Sequence, residues 1–165
     1  MDKSVASAIE ACVELERNVA DLYAVFHAVF PEHADFWMRL CIEEQNHAAL
    51  FNSGHKYFAP IGKFPADLTS VSLNSLQVVN DRVRSLAVRY RKQPPSVEEA
   101  FNVALSVEES AGEVHFQRFM EAPTRSPGDE VFRRLNRDDK DHAERLRGRM
   151  REFGIPIKEG PRDNT

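Results

Sequence analysis

Apolar side chains recur at steps of three and four residues along most of this chain, and this spacing is typical of amphipathic helices. Glycine and proline are absent from residues 3–30 and are concentrated between the periodic stretches. The pattern predicts four long helices. They cover residues 3–30, 31 to about 54, 97 to about 120, and 127–153.

Several residues mark the predicted helix ends. Pro31 suits a first helical position, where its missing N–H is no loss. Ser96 and Glu99 have the spacing of a capping box at the start of the third helix. Ser126 is the predicted N-cap of the fourth helix, and Gly154 ends it.

The connection between the second and third helices is long. Residues 57–70 contain two prolines and a glycine and are predicted to be a loop, and residues 73–92 form a short extra helix. No strand pattern competes, so the fold class is all-α. A long crossover between the two central helices fits a ferritin-like four-helix bundle better than an up-down-up-down bundle. We therefore predict a bundle domain over residues 1–153 and a loose C-terminal tail over residues 154–165.

Length and charge narrow the functional classes. The chain has 165 residues, 42% of them hydrophobic, and a formal net charge of -4. This composition indicates one globular domain without the positive field that would attract nucleic acid or an anionic membrane. No apolar run approaches the ~18 residues of a membrane span. The N-terminal stretch carries acids where a secretion signal would be apolar, so we expect a cytoplasmic location.

The two cysteines exclude one class of metal site. Cys12 and Cys41 form no Cys-x-x-Cys pair, which rules out zinc ribbons and rubredoxin-type iron sites. Both fall within helical patterns. We expect them to be buried, reduced thiols that pack as small apolar side chains.

Each of the four long helices carries an acid on its apolar stripe, and the second and fourth add a histidine three residues later, on the same helix face. The predicted inward-facing set is Glu16, Glu44, His47, Glu109, Asp139 and His142.

An internal repeat supports this set. The stretch VELERNVADLYAVF aligns with VEESAGEVHFQRF when Glu16 matches Glu109, and EEQNHA aligns with DDKDHA. In three helices an adjacent acid allows a shift of one residue. The spacing to the histidine selects Glu44 and Asp139, and the repeat selects Glu109.

Buried acids of this kind predict a metal centre. An isolated carboxylate in a dry core is very costly and takes up a proton rather than stay charged. Four acids close together would repel one another, and bound cations remove both problems. Mixed oxygen and nitrogen ligands suit iron or manganese better than calcium or structural zinc. We predict two iron ions, with manganese or zinc as substitutes.

The same residues carry a resemblance. Glu16 with Tyr23, Glu44-x-x-His47-Ala48, Glu109 and the acid-x-x-His142-Ala143 resemble the rubrerythrin-like branch of the ferritin-like superfamily. The resemblance covers the four long helices. It implies a non-haem di-iron centre that reacts with hydrogen peroxide or dioxygen and is reduced again by electrons. It also implies that Glu16 or Glu44, together with Glu109, bridges the metals, with His47 and His142 as terminal ligands.

Three departures from the family pattern are visible. Asp139 stands where the family has Glu, and its shorter side chain reaches less far toward a second metal. The family's further carboxylate on the third helix is replaced by Gly112, which leaves Glu113 as the nearest candidate to move protons. No rubredoxin-like domain is present, so a separate electron-donor protein is expected. We predict catalytic roles for Glu113 and for Tyr23, whose hydroxyl needs a polar partner such as a ligand carboxylate.

The resulting functional prediction is an oxidoreductase that reduces hydrogen peroxide or dioxygen at a di-iron or mixed iron and manganese centre. Two alternatives are a ferroxidase that passes iron to storage and a non-catalytic metal-binding bundle. The resemblance also implies a homodimer.

Overall fold

The computed structural model describes residues 3–58, 60, 72–109 and 142–158. These residues form α-helices, one short 3-10 turn and connecting segments, and they contain no strand, so the all-α prediction is confirmed for them. None of the described helices combines the length and apolar character needed to cross a membrane. The helices are α1 (Lys3–Val29), α2 (Ala34–Phe58), α3 (Leu73–Lys92), α4 (Val97–Glu108) and α5 (His142–Phe153).

The junction of α1 and α2 differs from the prediction. Phe30 leaves the helical conformation, and Pro31–His33 form a 3-10 turn with the proline at its start. The α2 helix therefore begins at Ala34 and not at Pro31. It also continues past Gly54 to Phe58, because Gly54 is tolerated within a helix when no proline follows it at once.

Two predicted helix ends are confirmed. The Ser96 side chain accepts a hydrogen bond from the Glu99 backbone N–H at 3.1 Å, which caps α4. At the end of α5, Gly154 adopts a φ of 64°, a left-handed conformation that glycine takes without strain. The Gly154 N–H donates to the Arg151 carbonyl and the Ile155 N–H to the Met150 carbonyl, and these two bonds form a Schellman motif.

The segment after Gly154 is attached to α4. The Asn102 side-chain amide donates to the Pro156 carbonyl at 2.9 Å, and its oxygen accepts from the Lys158 N–H at 2.7 Å. Lys158 also pairs with Glu98 at 3.0 Å. The prediction of a loose tail is therefore wrong for residues 155–158, and the rest of the predicted tail lies outside the described residues.

The α3 helix has the predicted limits, and its packing makes it a substantial part of the fold. It has 20 residues and buries Leu76, Val83, Ala87 and Tyr90. The α1 helix buries residues on faces toward both α2 and α3, so it offers α3 a full-length partner. A helix that can bury a stripe along its whole length is stable at full length. The predicted limits of this helix are therefore confirmed, and only its description as short is wrong.

Aromatic rings join α1, α2 and α4 at one end of the core. Trp37 is fully buried and lies 5.7 Å from Tyr23, 5.0 Å from Phe26 and 4.6 Å from Phe101, measured between ring centroids. Both cysteines are buried, as predicted.

The predicted second half of the third helix and first half of the fourth fall between residues 110 and 141. These residues lie outside the described part of the chain, so the predicted limits at about 120 and at 127 stay predictions.

Candidate metal centre

Ionisable side chains from four helices are buried together in the core. At most 3% of each residue is exposed. They are Glu16 on α1, Glu44 and His47 on α2, Glu108 on α4 and His142 on α5. Their ligand atoms form two groups, in each of which all atoms lie within 4.8 Å of one another. Four of the six predicted ligands are thus brought together by the structure.

The first group consists of Glu16, Glu44 and His47. Glu44 and His47 lie one turn apart on α2, so both side chains leave the same helix face. His47 Nδ1 lies 3.1 Å from Glu44 Oε2 and 3.5 Å from Glu16 Oε2. We call these residues the first ligand group.

The second ligand group consists of Glu44, Glu108 and His142. His142 Nδ1 lies 2.7 Å from Glu44 Oε1 and 3.4 Å from Glu108 Oε2. The rings of His47 and His142 are stacked with centroids 5.5 Å apart. The two Glu44 oxygens therefore face different imidazoles, and Glu44 belongs to both groups.

The prediction that Glu109 faces this centre is wrong. The Glu109 side chain is half exposed and pairs with Arg147 on α5. The buried face of α4 includes Phe101 and Leu105, and Glu108 follows Phe101 by two full turns. The repeat was therefore aligned one residue too far along α4, and the stripe through Phe101 would have selected Glu108.

Two other predicted site residues, Asp139 and Glu113, lie outside the described residues. Tyr23 is described, and it is fully buried. Its hydroxyl donates a hydrogen bond to Glu108 Oε1, so a carboxylate of the second ligand group is the polar partner that the sequence predicted for it.

Burial and the imidazoles give the three acids opposite protonation preferences. Burial acts to raise the pKa of Glu44, but His142 and His47 at close range outweigh it and hold that pKa well below its usual range. Burial raises the pKa of Glu16 to about 8, because only His47 opposes it and does so from a longer distance. Burial, followed by the Glu44 charge, also raises the pKa of Glu108. Without a metal, the site therefore favours an ionised Glu44 and a protonated Glu16, and it also disfavours the charged form of Glu108.

Three buried carboxylate oxygens of the site are poorly satisfied by the described residues. Glu16 Oε2, Glu44 Oε1 and Glu108 Oε2 accept no hydrogen bond within the described part of the chain. The imidazole nitrogens nearest to Glu16 Oε2 and Glu108 Oε2, at 3.5 and 3.4 Å, lie beyond the usual length of a hydrogen bond. A buried carboxylate oxygen without a partner is unfavourable, and a cation removes the cost. Three carboxylates and two imidazoles are a donor set that fits iron or manganese.

Glu43 is a residue of the site that the sequence suggested only as the alternative to Glu44. Its Oε2 lies 3.3 Å from His142 Nε2 and 2.7 Å from the Arg145 guanidinium. Burial acts to raise the pKa of Glu43, but His142 and Arg145 together lower it, so the carboxylate is charged. Helical periodicity does not reveal this contact, because Glu43 lies beside the α2 stripe and not on it.

Comparisons of this chain with protein-family models, with curated proteins and with solved structures found no match. The resemblance to the rubrerythrin-like branch therefore stays a prediction from the sequence, and the functional argument depends on the geometry of the two ligand groups.

Proposed function

We propose that this protein is a ferritin-like four-helix bundle that binds two iron ions and acts as an oxidoreductase on hydrogen peroxide or dioxygen. The observation that carries the proposal is the pair of buried ligand groups that share Glu44. The residues that would hold the metals are Glu16, Glu44, His47, Glu108 and His142.

A metal explains the chemistry of the buried acids better than a metal-free network of glutamate and histidine. A metal-free network places Glu44 between two imidazoles, but Glu44 Oε1 accepts no hydrogen bond within the described part of the chain. It leaves Glu16 and Glu108 each with a raised pKa and a poorly satisfied oxygen. Two cations would neutralise the buried carboxylates and give their unsatisfied oxygens a partner.

The donor set also supports two ions and favours iron. Each ligand group contains one imidazole and two carboxylates, and Glu44 presents a different oxygen to each group. Oxygen and nitrogen donors without thiolate suit iron and manganese, and the two cysteines belong to neither group. Asp139 and Glu113 stay proposed as a further ligand and a proton carrier.

Iron held here would supply Lewis acidity and electrons to a small oxidant. The chain's own residues prepare the site. Glu44 is already ionised and needs to lose no proton before it binds a cation. Tyr23 holds Glu108 through Oε1, which leaves Oε2 for the second ligand group. The buried rings of Tyr23 and Trp37 keep bulk water from this side of the site. Electrons would come from a separate donor protein, and the homodimer and the cytoplasmic location stay predictions.

Metal analysis followed by an oxidant assay tests the proposal. The protein is purified without added metal, its metal content is measured, and it is then loaded anaerobically with Fe(II) and mixed with hydrogen peroxide. We expect two iron ions per chain, the absorption of a ferric pair after mixing, and repeated turnover when a reductant is supplied. Oxidation of iron with release and no turnover would favour the ferroxidase alternative. Absence of metal binding would reject the proposal.

A further inference from the structure

We infer that Glu43 is a positioning residue that fixes the ring of His142 so that Nδ1 is the metal ligand. The inference rests on the proposed function, because it assigns a role toward the ion of the second ligand group. Glu43 itself is not a member of either group.

The His142 ring lies between two consecutive glutamates of α2. Its Nδ1 lies 2.7 Å from Glu44 Oε1, and its Nε2 lies 3.3 Å from Glu43 Oε2. A neutral imidazole has one N–H and one lone pair, and a carboxylate can only accept a hydrogen bond. A carboxylate at Nε2 therefore selects the tautomer with the proton on Nε2 and leaves the Nδ1 lone pair for a cation.

A third residue fixes Glu43. Arg145 lies one turn after His142 on α5, and its guanidinium contacts Glu43 Oε2 at 2.7 Å. The α5 helix thus provides both the histidine and the cation that holds the histidine's partner. His142 Nε2 lies 3.3 Å from Glu43, and a cation on Nδ1 would make the Nε2–H a stronger donor toward this carboxylate.

The chain contains a matched control. Glu109 is also adjacent in sequence to a ligand glutamate and also pairs with an arginine of α5, Arg147. It is half exposed and belongs to neither ligand group. Replacing Glu43 or Glu109 by glutamine therefore removes the same charge from a similar ion pair, but only Glu43→Gln removes a carboxylate from His142.

The test is an anaerobic Co(II) titration of the wild-type protein and of Glu43→Gln, Glu109→Gln, His142→Ala and the double variant Glu43→Gln/His142→Ala. Carboxylate partners of metal-binding histidines contribute about 10- to 100-fold in metal affinity. We expect Glu43→Gln to lower the affinity for one of the two ions by about this factor. Glu109→Gln should leave the affinity for both ions unchanged. Glu43→Asp, which keeps the carboxylate, should recover part of the affinity.

The double variant separates positioning from a general effect of charge. If Glu43 acts through His142, Glu43→Gln has no further effect once His142 is alanine. An equal loss in both backgrounds, or no loss in the wild-type background, overturns the inference. If the wild-type protein binds two ions and only Glu43→Gln is without effect, the proposed function stands and this inference alone fails. If the wild-type protein binds no ion, both fail.

Discussion

The two ligand groups share Glu44 but are assembled from different parts of the chain. The first uses only α1 and α2, which are joined by the short turn Pro31–His33. The second joins α2 to α4 and α5, so it forms only when three helices distant in sequence are docked. The first group therefore needs only the packing of two consecutive helices, whereas the second needs the docking of three helices.

The groups also differ in the contacts that orient their ligands. In the second group, Tyr23 holds Glu108 and Glu43 faces the outer nitrogen of His142. Both supporting residues come from helices that contribute to the first group, α1 and α2. The α1–α2 pair therefore provides the first group and part of the support of the second, which makes Glu44 the residue on which both depend.

The largest expected effect is that of Glu44→Gln. Because Glu44 supplies an oxygen to each group, its replacement should reduce the metal content from two ions per chain to nearly none. Metal analysis after Fe(II) loading and desalting measures this. Glu14→Gln, at an exposed position of α1, is the control and should keep both ions. Retention of one tightly bound ion in Glu44→Gln would contradict the shared role.

The histidines should separate the two groups. His47→Ala removes the imidazole of the first group and His142→Ala that of the second, so each variant should lose about one ion and keep the other. Fe(II) titration of both variants measures the number of sites. If either variant loses both ions, the groups fill cooperatively and not independently.

Variants at two adjacent positions test which glutamate near the end of α4 faces the metal centre. Glu108→Gln should lower the affinity for the ion of the second ligand group by at least about tenfold, because it removes a ligand. Glu109→Gln should leave metal binding unchanged, since Glu109 pairs with Arg147 away from the site. The opposite result would show that Glu109, the residue predicted from the sequence repeat, is the ligand.

The raised pKa of Glu16 predicts a pH dependence of the metal-free protein. Between its ordinary value of 4.5 and about 8, folded Glu16 holds a proton that the unfolded chain has lost. The free energy of unfolding therefore falls as pH rises through this window, by on the order of 1 kcal/mol per pH unit at most. The lowered pKa of Glu44 has its effect below pH 4.5. There the contribution of Glu44 to the free energy of unfolding is lost as pH falls.

Urea unfolding of the metal-free wild type and of Glu16→Gln between pH 5 and 9 measures this dependence. Glu16→Gln should show a smaller slope, because it has no proton to lose. Equal slopes for the two proteins would show that Glu16 is not the group responsible.

The smallest expected effect is that of Tyr23→Phe. It leaves Glu108 Oε1 without its hydrogen bond, and an unsatisfied buried acceptor costs about 1–3 kcal/mol of unfolding free energy. The loss should be smaller in the metal-loaded protein, where a cation also satisfies Glu108. Chemical denaturation measures both states. Tyr57→Phe, at an exposed tyrosine, is the control and should have almost no effect.

Local signals in the sequence predicted the helices well. The limits of α3, the Ser96 cap and the Gly154 end depend on neighbouring residues only, and all three agree with the structure. The spacing of Glu44 and His47 on one helix face is local in the same sense, and both are buried as expected.

Features that depend on packing between helices were predicted less well. Glu108 was missed because the repeat alignment was given more weight than the α4 stripe through Phe101. The burial of His33 also depends on such packing, because the 3-10 turn places it against Phe101 and Phe153, with the rings edge-on. Glu43 was missed as a supporting residue because its partners, His142 and Arg145, come from a helix distant in sequence.

The burial of the two thiols has a practical consequence for peroxide assays. Cys12 and Cys41 are both buried, and burial raises the pKa of the Cys41 thiol, so little reactive thiolate is present at neutral pH. Sulfenic acid formation, the usual background reaction of cysteine proteins with peroxide, should therefore be slow in the folded chain. Rapid loss of peroxide can then be ascribed to iron without replacing either cysteine.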